Sequence, residues 1–76
     1  TRINYSIPEQ AYVKLCIYDI NGILVKTLYE GNQSAGKYQT VWDGESNSGV
    51  KVGSGVYFYR IQANSFIQTR KMILLK

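Results

Sequence analysis

Few side chains in this 76-residue sequence have the chemistry for catalysis: five carboxylates, one thiol and no histidine, which is the usual general base. Asp43 and Glu45 flank Gly44 and match a glycosidase pair in residue type. Retaining glycosidases hold their carboxyl groups about 5–5.5 Å apart across the substrate bond, and a single turn leaves no cleft for a sugar. Cys16 has no histidine to activate it, so it is interpreted as a small side chain on a strand. The sequence therefore predicts that the protein is not an enzyme.

The segment DGESNSG, Asp43–Gly49, places oxygen-bearing side chains at alternate positions, as a calcium loop does. An EF-hand loop requires a glycine directly after the third ligand, here Asn47, and a glutamate further on; instead Ser48 follows and no acid comes later. Aspartate and asparagine also bond to their own backbone in turns. One thiol without histidine cannot form a zinc site. No cofactor is expected, and calcium at this loop is the open alternative.

Four glycines lie in the stretch VWDGESNSGVKVGSGVYFYRI, which runs from Val41 to Ile61. A phosphate-binding P-loop ends in Gly-Lys-Ser/Thr and leads into a helix, whereas this stretch leads into three aromatic residues that indicate a strand. The stretch is therefore predicted to turn a corner, with positive φ at Gly49 and Gly55 and with Trp42 packed against the departing strand.

Apolar and polar residues alternate along most of the chain, which predicts strands rather than helices. Asn21-Gly22 predicts a type I′ hairpin turn, GNQSAG at 31–36 a polar loop, and Asn64-Ser65 a further turn. The expected fold is all-β: one Ig-like antiparallel β-sandwich over residues 1–76, with about seven short strands, one of them at Val50–Val52, and no helices. The predicted core comprises Leu15, Ile17, Trp42, Tyr57, Tyr59 and Ile61.

The net charge of +4 is thinly spread, without the basic clusters among aromatic residues that mark nucleic-acid binding. No apolar run reaches the roughly 20 residues of a membrane-spanning helix. The one concentration of charge is C-terminal, where Arg70, Lys71 and Lys76 surround the apolar run MILL at 72–75. Such a run predicts a strand buried on both faces or a face that awaits a partner, and lysines are also typical of protected edge strands. Neither nucleic acid nor a small-molecule substrate is expected.

Three segments resemble a known family pattern: VKLCIYDINGILVKTL at 13–28, GKYQTVWDGESNSGVKVGSGVYFYRI at 36–61 and TRKMILLK at 69–76. They are similar to the type A C-terminal sorting domains of the type IX secretion system, and equally to the Ig-like domain of flagellar hook-capping proteins, which shares the sandwich. The resemblance extends from Ile3 to Lys76. It departs from many sorting domains at Gly53-Ser54-Gly55, where these have Pro-x-Gly, and the departure favours the hook-cap branch.

The resemblance to sorting domains implies a role in secretion. Such a domain ends a cargo protein that reaches the cell surface or the medium through the periplasm; a translocon recognises the domain and a surface peptidase removes it. Because the chain begins with Thr1 rather than methionine, it is interpreted as a domain excised from a larger secreted protein. The family's recognition segments correspond here to Gly55, Val56, Tyr57, Lys71 and Lys76.

Two functions are therefore predicted. The first is a non-catalytic sorting module that directs a bacterial cargo protein across the outer membrane. The alternative is an Ig-like structural or interaction module that self-associates into an oligomer or extracellular fibre through its C-terminal edge strand. Simpler interpretations stay open for each residue: Gly55 in a turn, Tyr57 in the core, and Lys71 and Lys76 as solvated edge charges.

Overall fold

The computed structural model describes residues 1–75, which contain six β-strands and no helix. Lys76, one of the predicted recognition residues, lies outside the described residues. Accordingly, no helix of the described part is long and apolar enough to cross a membrane. The strands are β1 (Arg2–Ile7), β2 (Ala11–Tyr18), β3 (Leu24–Gln33), β4 (Gly36–Val41), β5 (Gly55–Ala63) and β6 (Phe66–Leu74).

All strand pairs are antiparallel, and they form two sheets: β1 with β4, and a four-stranded sheet in the order β3-β2-β5-β6. The predicted all-β sandwich is confirmed, with six strands rather than about seven. The strand expected at Val50–Val52 is reduced to one bridge between Glu45 and Lys51, whose side chains form an ion pair of 3.2 Å. Val50 is exposed and only Val52 of this segment packs against the core, so too little of the segment is buried to hold it as a strand.

The core lies between the two sheets and follows the period-two alternation of the strands. Among the predicted core residues, Leu15, Ile17, Trp42, Tyr57 and Ile61 are buried. Tyr59 is half-buried: it packs against the core and also lines an open groove between the sheets. Burial also extends to residues outside the predicted core set: Ile3, Tyr5, Ile7, Ala11, Val13, Ala63 and Leu74.

The connection from β2 to β3 is wider than the predicted type I′ turn, and Asp19 is the reason. Its Oδ1 accepts hydrogen bonds from the backbone N–H groups of Asn21 and Ile23, at 2.9 and 3.0 Å. Gly22 has φ of 79°, but Asn21 lacks the positive φ that a type I′ turn requires. Asn64 has φ of 56°, so Asn64-Ser65 forms the turn predicted there.

Strand β3 continues to Gln33 and β4 begins at Gly36, so four of the six residues of the predicted loop GNQSAG are strand. Residues 31–33 pair with Ala11–Val13 of β2. Polar residues are tolerated in this part of β3 because it is an edge strand, and one edge faces solvent rather than another strand.

Candidate functional site

The inward face of β6 is only partly covered by the small sheet. In the β5–β6 register Ala63 lies opposite Phe66 and Ile61 lies opposite Gln68. Directly opposite residues point to the same face, and Ala63 and Ile61 are buried, so Phe66 and Gln68 point inward, as does Arg70 two residues further on. Yet Phe66 is 37% exposed, and Arg70 is exposed. The two strands of the small sheet therefore leave the β6 edge of the four-stranded sheet uncovered.

An open groove of about 910 Å³ occupies this space, lined by residues of β1, β4, β5 and β6. Three cations line it, Arg2, Lys37 and Arg70, and no carboxylate does. These cations come from three different strands and line the groove at different points: Arg2 and Lys37 lie at opposite ends of the small sheet, and Arg70 lies on β6. The groove is therefore electropositive.

Tyrosine rings and side-chain amides supply the rest of the polar lining. The rings of Tyr5 and Tyr38 are stacked with centroids 5.5 Å apart. Tyr5 Oη donates to Gln33 Oε1 at 3.1 Å, and Tyr38 Oη donates to the Ser34 carbonyl oxygen at 2.6 Å. With its amide oxygen turned towards Arg70, Gln68 accepts from Nη2 at 2.8 Å. These bonds fix the walls of the groove before any ligand arrives.

Tyr5 makes part of the stability of this wall dependent on pH. Burial, as the largest effect, raises the pKa of Tyr5 above its ordinary 10.0, while the hydrogen bond to Gln33 opposes the shift. A raised pKa in the folded state means that this stabilisation is complete below pH 10 and is lost as pH rises through the folded-state value.

We expect Tyr5→Phe to destabilise the domain near neutral pH by about 1 kcal/mol, because it removes the hydrogen bond to Gln33. The difference between the variant and the wild type should shrink above pH 10, since phenylalanine has no proton to lose. Urea unfolding of both proteins on either side of pH 10 measures this difference. A difference that stays constant with pH would show that the Tyr5 hydroxyl does not contribute to the pH dependence.

Strand β6 has the more regular of the two edges of the large sheet. Its pairing with β5 runs without a register shift over nine residues, from Gly55–Leu74 to Ala63–Phe66. At the opposite edge, the β2–β3 pairing shifts register twice, between Leu15 and Cys16 and between Ile17 and Tyr18. Such irregularities twist an edge away from further pairing. The backbone of β6 is thus the edge better suited to accept an added strand.

The outward face of β6 is partly apolar. Ile67 is 57% exposed and Ile73 is 58% exposed, with the exposed Lys71 between them. On the inward side Met72 is half-buried and Leu74 is buried. Of the two interpretations of the MILL run, burial on both faces is wrong and an uncovered apolar face is what the structure has.

The recognition residues taken from the sorting-domain resemblance lie at one end of the β5–β6 pair. Gly55, Val56 and Tyr57 lie opposite Leu74, Ile73 and Met72, and Lys71 lies opposite Phe58. Gly55 has φ of 154°, a backbone conformation that favours glycine.

Tyr57 is held inside the domain. Its ring meets Trp42 edge-on with centroids 5.1 Å apart, and its Oη donates to the Gly53 carbonyl oxygen at 2.7 Å. Both partners belong to the domain itself, so packing and this hydrogen bond account for Tyr57 without any ligand.

The side chains of the loop considered for calcium bond to the protein itself. Asp43 Oδ1 accepts from the Glu45 N–H at 3.1 Å, and Asn47 Oδ1 accepts from the Thr27 N–H at 3.0 Å. Glu45 is engaged with Lys51. Within residues 1–75 no group of three or more metal-binding side chains comes together. The loop is a corner that docks onto β3.

These features define a class: a small Ig-like β-sandwich with an open electropositive groove beside one regular edge strand. The family model of the FlgD Ig-like domain matches residues 1–65, and the chain belongs to this family. FlgD Ig-like domains are structural rather than enzymatic.

A solved structure, that of FlgD from P. aeruginosa, is similar in sequence and fold. The match has a TM-score of 0.76 and 26% sequence identity, and it covers 95% of this chain and 55% of that chain. The chain thus spans about half the length of that FlgD structure. A search among curated proteins gives no match.

The groove residues Arg2, Lys37 and Arg70 were not grouped by sequence reasoning. One signal was available: Gln68 and Arg70 are polar at the positions of β6 that share a face with the apolar Met72 and Leu74. Polar residues on the face expected to be buried indicate that this part of the face is uncovered.

Proposed function

We propose that this chain is a non-enzymatic Ig-like structural and interaction module, and that β6 together with the groove is its docking face. Membership of the FlgD Ig-like family supports the structural role. The single observation that carries the docking face is the uncovered edge: β6 is regular over nine residues and its inward residues open into the groove.

Strand addition is the mode of binding that this edge offers. In strand addition an extended segment bonds to the free backbone of an edge strand, and alternate side chains of the segment provide specificity. A segment added beside β6 would place one set of side chains over the groove and the other set beside Ile67, Lys71 and Ile73. The free backbone edge thus provides affinity, and the surfaces on its two faces provide specificity for the side chains of the added segment.

The sorting role implied by the terminal motif stays a prediction, since the family match is to the FlgD Ig-like domain. The two functions differ in how they depend on the terminal lysines. A sorting signal depends on its last residues, whereas a structural module depends on them only through its fold.

Transport of a reporter therefore tests the proposal. Residues 1–76 are fused behind an exported fluorescent protein in a bacterium with a type IX secretion system, and compared with a Lys71→Ala/Lys76→Ala variant. We expect both fusions to remain in the periplasm. The matched control is Lys14→Ala/Lys26→Ala, which removes the same charge from β2 and β3. Secretion of the wild type and of this control, with retention of the Lys71/Lys76 variant, would overturn the proposal in favour of sorting.

A further inference from the structure

We infer that the occupant of the β6 docking face is an extended acidic segment of a different protein, which adds to β6 as a strand. This inference rests on the proposed function and names the class of partner. Its evidence is the distribution of charge around β6.

Cations occupy the centre of β6 on both of its faces. Arg70 points inward to the groove, and Lys71, the next residue, points outward. β5 and β6 contain no aspartate or glutamate. All five carboxylates of the chain lie before β5, at Glu9, Asp19, Glu30, Asp43 and Glu45. The docking face therefore has positive charge with no internal carboxylate on its own two strands to neutralise it.

A second copy of the chain is a poor occupant for this edge. β6 runs from Phe66 to Leu74, so its central residue is Arg70. When two β6 strands pair antiparallel with full overlap, Arg70 lies directly opposite Arg70 of the other copy. Like charges directly opposite each other destabilise a strand pair, and inward-pointing charges and edge lysines are known devices against pairing between copies. The cations thus select against self-association.

The same cations favour carboxylates. On the inward side, Arg70 faces the groove, and Arg2 and Lys37 add positive charge to its rim from positions that alternate with the buried Ile3, Tyr5 and Ile7. On the outward side, the neighbours of Lys71 on the same face are Thr69 and the exposed Ile73, and Ile67 lies beyond Thr69, which favours an acidic residue next to an apolar one. Charge that repels one partner and attracts another is how interfaces gain specificity.

A peptide titration tests this inference. The probe is an end-capped nine-residue peptide that alternates glutamate with threonine, matching the nine residues of β6. Its controls replace every glutamate with glutamine or with lysine. Each peptide is added to the isotope-labelled 76-residue chain, and backbone amide signals and their hydrogen exchange are followed by NMR.

We expect the glutamate peptide to shift the signals of β6, Arg2 and Lys37 and to slow exchange of the free-edge amides of β6. It should bind at least about tenfold more tightly than the glutamine peptide, a difference of about 1.4 kcal/mol. The lysine peptide should not bind. Higher salt should weaken binding of the glutamate peptide, because exposed charges are screened.

A charge reversal provides the decisive comparison. Arg70→Glu/Lys71→Glu should bind the lysine peptide and lose the glutamate peptide. The matched variant Lys14→Glu/Lys26→Glu, with the same change in net charge on β2 and β3, should keep the wild-type preference. The dispersed indole signal of the buried Trp42 shows that each variant is folded.

Three results would overturn the inference: equal binding of the glutamate and glutamine peptides, no binding of the glutamate peptide, or shifts confined to surfaces away from β6. A wild-type chain that dimerises through β6 in light scattering would also overturn it, while leaving β6 as the docking face. The transport experiment reports separately on the proposed function, so either can fail alone.

Discussion

Trp42→Ala is expected to unfold much of the domain at room temperature. Trp42 is fully buried between the sheets, and its Nε1 donates to the Glu45 carbonyl oxygen at 2.9 Å. Replacing a buried tryptophan with alanine costs about 3–5 kcal/mol, because contacts are lost and a cavity remains. At roughly 0.05–0.15 kcal/mol per residue, a 76-residue domain has about 4–11 kcal/mol of stability in total. The loss therefore equals the whole stability at the lower end of this range and removes up to about half of it at the upper end.

Urea unfolding followed by circular dichroism measures this effect. The control is Val41→Ala at the preceding residue, which is 63% exposed and should change the free energy of unfolding by less than about 0.5 kcal/mol. Trp42→Phe should lie between the two, since it keeps an aromatic ring and loses the hydrogen bond. If Trp42→Ala were no more destabilising than Val41→Ala, the assignment of Trp42 to the core would be wrong.

Tyr57→Ala should have the second largest effect, a loss of about 3 kcal/mol in the free energy of unfolding. The ring packs edge-on against Trp42, and the hydroxyl is bonded to the Gly53 carbonyl oxygen. Tyr57→Phe keeps the ring and should lose only about 1 kcal/mol, the typical net value of one hydrogen bond. Chemical unfolding of both variants separates the ring from the hydroxyl.

The pair of Tyr57 variants also tests whether this residue recognises a partner directly. If Tyr57 acts through packing, Tyr57→Phe should keep all binding to β6, while Tyr57→Ala should lose binding only to the extent that it unfolds. A fully folded Tyr57→Phe protein that fails to bind would contradict this. The double variant with Trp42→Ala should cost less than the sum of the single losses, because the two rings share one contact.

The fold was predictable because strand structure depends on a short-range pattern. Val13, Leu15 and Ile17 alternate with polar or small residues, and the structure buries all three on one face. The turn at Asn64-Ser65 was predictable for the same reason, because it depends only on the types of these two neighbouring residues. The connection after β2 was not, because the Asp19 carboxylate accepts the N–H groups of Asn21 and Ile23 and so stabilises a wider turn than Asn21-Gly22 alone predicts.

The groove was not predictable from alternation. Alternation shows which side chains share a face, but not which strands of the opposite sheet cover that face. Arg2, Lys37 and Arg70 are far apart in the sequence, and they line one groove because β1 pairs with β4 and β6 pairs with β5. Tyr59 packs against the core but is only half-buried, and its partial exposure was unpredictable for the same reason.

Cys16 shows what a single thiol can report. It is the only cysteine in the chain, and it is buried on the central strand β2, with Sγ 3.8 Å from Thr27 Oγ1. Cys16 alternates with the core residues Leu15 and Ile17, so its sulfur lies on the outer face of the large sheet, where neighbouring side chains cover it. A reagent reaches the sulfur when these side chains or the strands beneath them move apart, so the labelling rate records how often this face opens. A partner segment that binds the closed sandwich at the β6 edge would slow this rate by up to a factor of one plus the ratio of the segment's concentration to its Kd. The native sequence thus contains its own labelling probe for opening of the large sheet.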